Sequence, residues 1–190
     1  MYNKLFKIFK IFIIMVIEYI AYILYSPYLM YLQYNNKTPQ EIYKLLEGRI
    51  LGRQAFNGII SIVSPYSSSI HPNVECFEKK ECKCSIEDRR YLRNPFNSIH
   101  ALALSNLGEL TSGLIMMEYL KKTEQRGIMT EITSQYYKKS RGKITAISSL
   151  NTLKNGIIIS KLFNDNNDLV CEISSQWLLK DIQQDMRKYK

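Results

Sequence analysis

The stretch NPFNSIHALALSNLGELTSG, residues 94–113, passes from a turn-forming segment directly into a long apolar one. Its opening Asn-Pro pair favours a turn. From Leu104 to Leu114 the apolar residues recur at helical spacing, which predicts a helix over about residues 98–120. We take this helix as the centre of the folded domain.

The segments on both sides of this helix predict strands, because polar and apolar residues alternate there between turn signals. Asn155-Gly156 is a strong hairpin signal. A sheet wrapped around one long central helix buries the helix and one face of the sheet. The predicted fold class is therefore α+β with an antiparallel sheet, whose strands are expected at residues 74–80, 82–90, 127–137, 143–150, 157–163 and 169–177.

The first 35 residues differ in composition from the rest of the chain. Lys4, Lys7 and Lys10 precede an apolar run over residues 11–25, which only Glu18 interrupts. This run is shorter than the roughly 20 apolar residues that a helix needs to cross a bilayer. A signal-anchor, an organelle presequence and an N-terminal apolar helix packed on the domain all fit the pattern.

We interpret residues 1–35 as an apolar targeting or membrane-anchor segment and residues 36–190 as the folded domain. Membrane association is expected through residues 5–32. No small-x-small cleavage site follows the apolar run, so secretion is disfavoured. The expected localisation is a membrane or an organelle such as the mitochondrion. Thr38-Pro39 predicts the start of the first helix of the domain, with Thr38 as its N-cap.

The formal net charge of +9 suits an anionic partner such as nucleic acid, an anionic membrane or the phosphates of coenzyme A. Codon bias explains the same charge equally well. No zinc-finger or helix-turn-helix spacing supports nucleic acid binding. Cys82-x-Cys84 lacks the spacing of a zinc site, so we predict no metal, no cofactor, and buried cysteines in a reducing compartment.

Residues 94–113 resemble the asparagine-to-helix motif of hotdog-fold acyl-CoA thioesterases of the phenylacetate-pathway and 4-hydroxybenzoyl-CoA type. In that group an Asn precedes a His-Gly-Gly turn by six residues, and an acidic residue follows the His by nine; Asn94, His100 and Glu109 reproduce both offsets. Ala101-Leu102 replaces the Gly-Gly pair, as in a poorly characterised branch with His-Ala. The resemblance covers about residues 51–179 and implies a hotdog fold.

The resemblance also implies roles for the catalytic residues. Glu109 would be the general base or nucleophile, the backbone N–H of Ala101 would polarise the thioester carbonyl, and Asn94 would hold water or the reacting group. His100 would shape the turn; its use as the general base is an alternative. A helix start supplies free N–H groups and a positive dipole end, and a buried carboxylate has a raised pKa that suits a base. A solvent-facing Glu109 and a purely turn-forming Asn94 are the structural alternatives.

Five further residues are predicted to bind the substrate. Lys138, Lys139 and Arg141 could hold the phosphates of coenzyme A, although a solvated strand end explains them equally well. Asn97 and Ser112 complete this set.

The predicted active site requires two chains. Ala101 and Glu109 lie on one helix, which rises about 1.5 Å per residue, so one carbonyl cannot touch both. Two antiparallel copies would bring the start of one helix to the Glu109 of the other, giving a homodimer or a dimer of dimers.

The predicted function is hydrolysis of acyl-CoA or acyl-carrier thioesters to free acid and thiol. One alternative is a non-catalytic hotdog module that binds acyl-CoA or lipid and is tethered to a membrane. Another is a membrane-tethered structural protein whose positive charge contacts anionic lipid.

Overall fold

The computed structural model describes residue 9 and residues 12–26 and 37–182. Residues 12–26 are helical and form α1. The predicted targeting segment also includes residues 1–8, 10–11 and 27–35, which lie outside the described residues, so its identity as an anchor or presequence stays a prediction. Within the described ranges, no helix is both long enough and apolar enough to cross a membrane.

Over residues 37–181, four helices and six strands follow α1, with two short 3-10 helices at Arg90–Leu92 and Leu150–Thr152. Thr38 is confirmed as the N-cap of the first of these four helices, because its side chain accepts a hydrogen bond from the Glu41 amide. The elements are α2 (Pro39–Leu46), α3 (Gly52–Val63), α4 (Pro65–Ser68), β1 (Asn73–Phe77), β2 (Glu81–Ile86), α5 (Ala101–Lys122), β3 (Gln125–Tyr136), β4 (Ile144–Ser149), β5 (Ile157–Phe163) and β6 (Leu169–Asp181).

The strands form one six-stranded sheet in the order β1-β2-β4-β5-β6-β3, and all neighbouring pairs are antiparallel. The predicted turn at Asn155-Gly156 joins β4 to β5, with both residues at positive φ. β3 pairs with β6 along almost its whole length and is the last strand of the sheet. The predicted α+β architecture, an antiparallel sheet around one long central helix, is confirmed.

At Gly108 the backbone of α5 packs directly on side chains of the sheet. A Cβ atom at this position would lie 2.4 Å from Cγ1 of Ile173, so that Ile173 or the helix would have to shift to admit it. The Ser160 hydroxyl of β5 donates a hydrogen bond to the Gly108 carbonyl at 2.7 Å. One turn later, the buried hydroxyls of Ser112 and Ser175 lie 3.3 Å apart. These contacts fix both the height and the rotation of α5 above the sheet.

Shorter helices cover the opposite side of α5. The buried Glu118 carboxylate accepts a hydrogen bond from the Gln40 amide at the start of α2, and Lys122 pairs with it at 2.6 Å. The Asn106 side chain donates to the Tyr66 carbonyl of α4 at 3.3 Å. Because α5 is covered on both sides, its apolar residues surround the helix instead of forming one stripe.

Two glycines of α5 give a matched test of this packing. We expect Gly108→Ala to lower the free energy of unfolding by about 1–3 kcal/mol, because the new methyl group overpacks the helix–sheet contact. At Gly113 a Cβ would meet only Glu109 Oε1 at an ordinary 3.5 Å. Gly113→Ala should therefore be neutral or stabilise by up to about 1 kcal/mol through helix propensity. Urea unfolding of both variants checks this, and equal effects would contradict the close contact at Gly108.

Candidate active site

A closed turn precedes α5 and holds the predicted Asn94 in place. Asn94 donates its backbone N–H to the Ser98 carbonyl at 2.8 Å, and its side-chain oxygen accepts from the Ser98 amide at 3.2 Å. Asn97 occupies the left-handed region at φ +55, and its backbone amide donates to the Asn94 carbonyl. The Asn94 oxygen thus shapes the turn. Its side-chain NH2 group has no acceptor in the part of the chain that the structure describes.

His100 is the N-cap of α5. Its backbone is extended, and its Nδ1 accepts the Leu102 amide at 3.1 Å. That bond requires an unprotonated Nδ1, so the solvent-exposed Nε2 is the ring atom left for other contacts. The structure therefore places His100 in the turn that begins α5, and its role in the reaction stays a prediction.

Ala101 is the first residue of α5. Its backbone N–H donates no hydrogen bond within residues 37–182, as expected in the first turn of a helix. Such N–H groups carry the positive end of the helix dipole. The Ala101 carbonyl, in contrast, is occupied: it accepts from the Tyr136 hydroxyl at 3.1 Å and from Ser105 at 3.3 Å.

Glu109 is half-buried in the middle of α5. Burial raises the pKa of its carboxyl, and across the described ranges no hydrogen bond or ion pair reaches that carboxylate. One turn earlier, the Ser105 hydroxyl contacts the hydroxyls of Ser134 at 2.9 Å and Tyr136 at 2.6 Å, both on β3. Since residues four apart share one helix face, Glu109 lies on the side of α5 that faces β3.

The hydroxyl cluster of Ser105, Ser134 and Tyr136 was not among the predicted site residues. A signal was present in the sequence, because Ser105 lies one helical turn before Glu109. The contribution of β3 could not be found in the same way, since the pairing of a strand with a helix face depends on the fold.

The predicted basic residues lie next to the start of α5. The hydroxyl of Ser98 donates to the Ser140 carbonyl and accepts from the Ser140 amide, both at 3.0 Å. Lys139 and Arg141 flank Ser140 and are exposed. Lys138 is paired instead, because its ammonium lies 2.8 Å from Asp168 and lowers the pKa of that carboxyl.

Two of the predicted substrate contacts have other partners. The Asn97 side chain is exposed, and its oxygen accepts a hydrogen bond from Arg93 at 3.2 Å. The Ser112 side chain is fully buried between α5 and β6, where it bonds to Gly108 and Ser175. In this chain the Ser112 hydroxyl belongs to the helix–sheet contact, and its contact with substrate stays a prediction.

A single chain places the turn before α5, the start of α5 and the basic loop side by side, but Glu109 lies apart from them. Ala101 and Glu109 are eight residues apart on α5, which corresponds to about 12 Å along the axis.

Comparison with solved structures identifies the fold. The structural-genomics protein APC5556 is 19% identical, with a TM-score of 0.66 over 75% of this chain and 98% of that chain. A protein of Pseudomonas aeruginosa, described as of unknown function and a probable thioesterase, is 16% identical, with a TM-score of 0.57 over 65% and 92%. A thioesterase mutant from Staphylococcus aureus subsp. aureus Mu50 is 17% identical, with a TM-score of 0.54 over 62% and 99%. These likenesses confirm the predicted hotdog fold.

No curated protein matches the chain. A family model described as "Domain of unknown function (DUF4442)" matches residues 52–176, from the start of α3 into β6. Because this match spans well over half of the 190 residues, the chain belongs to the DUF4442 family.

Proposed function

We propose that this protein hydrolyses acyl-CoA thioesters in a homodimer, with Glu109 of one copy facing the start of α5 in the other. The observation that carries the proposal is the Glu109 carboxylate: half-buried, without a partner within the described residues, and directed toward the edge strand of the sheet. A buried carboxylate without a partner destabilises a fold, and such groups concentrate at functional sites. The similar proteins named as thioesterases support the same chemistry.

The edge of β3 supports the pairing of two copies. β3 has 12 residues, and in the described part of the chain its outer edge pairs with no strand. The strand β3 exposes the large apolar side chains of Ile128, Ile132 and Tyr136. Long apolar edge strands are normally covered. Two β3 strands paired antiparallel would continue the sheet and place the two α5 helices antiparallel.

In this arrangement each copy supplies one half of the reaction. The Glu109 carboxylate removes a proton from water as the water oxygen bonds to the thioester carbon. The carbonyl oxygen gains negative charge, which the Ala101 N–H and the positive end of α5 stabilise. Collapse of this tetrahedral intermediate breaks the C–S bond, and the thiolate takes up the proton held by Glu109. The products are a free acid and a thiol.

The loop after β3 supplies charge for the coenzyme. Lys139 and Arg141 are exposed beside the turn that precedes α5, and neither forms an ion pair with another described residue. Phosphate groups of coenzyme A could accept charge-assisted hydrogen bonds from both. Lys138 could join them by leaving Asp168.

A second candidate is an acyl-CoA-binding module without catalysis. The Leu102 side chain, 65% exposed, stands at the start of α5 where the resembled enzymes carry glycine. Its bulk could keep a thioester carbonyl away from the Ala101 N–H. This candidate predicts acyl-CoA binding without turnover.

The first prediction concerns the proposed base. Glu109→Ala should lower kcat/KM at least about 100-fold, because general bases contribute about 10²- to 10⁴-fold to the rate. Hydrolysis of short-, medium- and long-chain acyl-CoA thioesters measures the effect. Glu81→Ala, which removes an exposed carboxylate at the start of β2, is the matched control and should keep wild-type activity. Unchanged turnover in the Glu109 variant would rule out the assignment.

The pH dependence gives a second prediction. Glu109 acts as a base only when deprotonated, and burial raises the pKa of its carboxyl. The acid limb of the kcat/KM profile should therefore lie above the pKa of an ordinary glutamate. An acid limb at the pKa of an ordinary glutamate would argue against Glu109 as the titrating group.

The same burial predicts an effect on stability. At pH values above the raised folded pKa, Glu109 is charged in both the folded and the unfolded chain, and burial disfavours that charge only in the folded chain. Glu109→Gln should therefore raise the Tm at neutral pH. The gain should shrink as the pH falls below the raised folded pKa, and it should vanish below the ordinary pKa, where both states are protonated. A gain in Tm that does not change with pH would show that burial of the Glu109 charge is not its cause.

The dimer is tested at the β3 edge. Ile132→Lys places a charge on the apolar edge and should reduce the sedimenting mass from two chains to one, with loss of hydrolysis. Ile50→Lys, at the more exposed Ile50 between α2 and α3, controls for the added charge and should remain dimeric. An active Ile132→Lys monomer would refute the two-chain site.

A further inference from the structure

The helix α1 packs against the folded domain on α3. A Cβ at Gly58 would lie 2.9 Å from the Glu18 carbonyl oxygen and 3.2 Å from Cβ of Tyr22, so the two backbones approach closely there. Ala21 is fully buried in this contact. The Tyr25 hydroxyl donates to the Ile50 carbonyl, just before α3, at 2.8 Å. Since Tyr25 lies near the start of α3 and Glu18 further along it, the two helices run antiparallel.

The residues of α1 divide into two opposite sides at 100° per residue. One side packs on the domain and is buried or half-buried: Ile14, Ile17, Glu18, Ala21, Tyr22 and Tyr25. The other we call the α1 outer face, formed by Phe12, Met15, Tyr19, Ile20, Ile23 and Leu24, which are 46% to 66% exposed. This outer face carries no charged side chain.

The one charge on α1, Glu18, lies on the domain side. Burial raises the pKa of its carboxyl, and the positive charge of Arg89 opposes that shift. The carboxylate that interrupts the apolar run in the sequence is therefore held by the domain. It does not interrupt the α1 outer face.

Exposed apolar residues of this number on one helix face are unusual for a soluble monomer and mark an interaction surface. A helix with one side on protein and an uncharged apolar opposite side suits the interface of a lipid bilayer. It does not suit a span surrounded by lipid, because α3 already occupies its domain side.

The sequence before α1 adds charge complementarity. Lys4, Lys7 and Lys10 precede it, and no acidic residue occurs before Glu18. Basic residues next to an anionic membrane strengthen binding to it. The partner that matches both features combines apolar chains with negative headgroups.

We propose that the α1 outer face lies in the surface layer of an anionic lipid bilayer, with the helix axis in the membrane plane and the domain attached through Gly58. This surface is distinct from the proposed thioesterase site. Hydrolysis of soluble acyl-CoA therefore does not depend on it.

The test is flotation of the full chain with vesicles of phosphatidylcholine and phosphatidylserine. Wild type should float with the vesicles, less so at high salt or with phosphatidylcholine alone. Ile23→Glu should lower the partition coefficient at least about tenfold, because a charge in the apolar layer is costly. Leu178→Glu is the matched control, since Leu178 is 51% exposed and Ile23 50%; it should float like wild type.

Four outcomes would overturn the proposal. The first is a wild-type chain that does not float, and the second is equal flotation of the Ile23 and Leu178 variants. The third is a lipid-free sedimenting mass that falls in Ile23→Glu, which would assign the face to a second copy of the chain. The fourth is retention of the wild-type chain in the membrane after alkaline carbonate extraction, which would indicate a helix that spans the bilayer and not one that lies in its plane. Acyl-CoA hydrolysis by Ile23→Glu should match wild type throughout, which separates this test from that of the proposed function.

Discussion

The contact between the α5 backbone and the sheet is the constraint on which the rest of the structure depends. At Gly108 the helix approaches Ile173 so closely that a Cβ atom would force a shift, and the Ser160 hydroxyl donates a hydrogen bond to the Gly108 carbonyl. This contact fixes the rotation of α5. Once the Gly108 side faces β5 and β6, the Ser105 side must face β3, and Glu109 lies one turn further along that side.

One chain cannot bring the start of α5 and Glu109 to the same atom, for a geometric reason. A helix can offer its amide groups only at its start, whereas Glu109 is in its middle, about 12 Å away. The turn at that end is closed by hydrogen bonds from the Ser98 amide to the Asn94 side chain and from the Leu102 amide to the His100 side chain. Glu109 has no comparable support among the described residues, and its unpaired burial is a cost to stability that a functional role would explain.

The N-terminal segment links the fold to its surroundings. By composition, residues 1–35 stand apart from the domain. Residues 12–26 nevertheless contact α3 at Gly58 and direct Glu18 toward the domain. An apolar run that reads as uniform in the sequence thus has a protein-facing side and an outer side. Only the packing partner distinguishes them, because almost every position of the run is apolar.

The sequence by itself determined the elements that depend on local chemistry. The Thr38 cap, the Asn155-Gly156 turn, the strand alternation and the length of α5 all follow from short-range rules, and the offsets from Asn94 to Glu109 pointed to the fold. Only the tertiary structure decided which way α5 faces. Helical periodicity fixes the angles between side chains but not their absolute direction, and a helix that is apolar all round gives no stripe to orient it. The sequence therefore could not show that Ser112 is buried against Ser175 of β6.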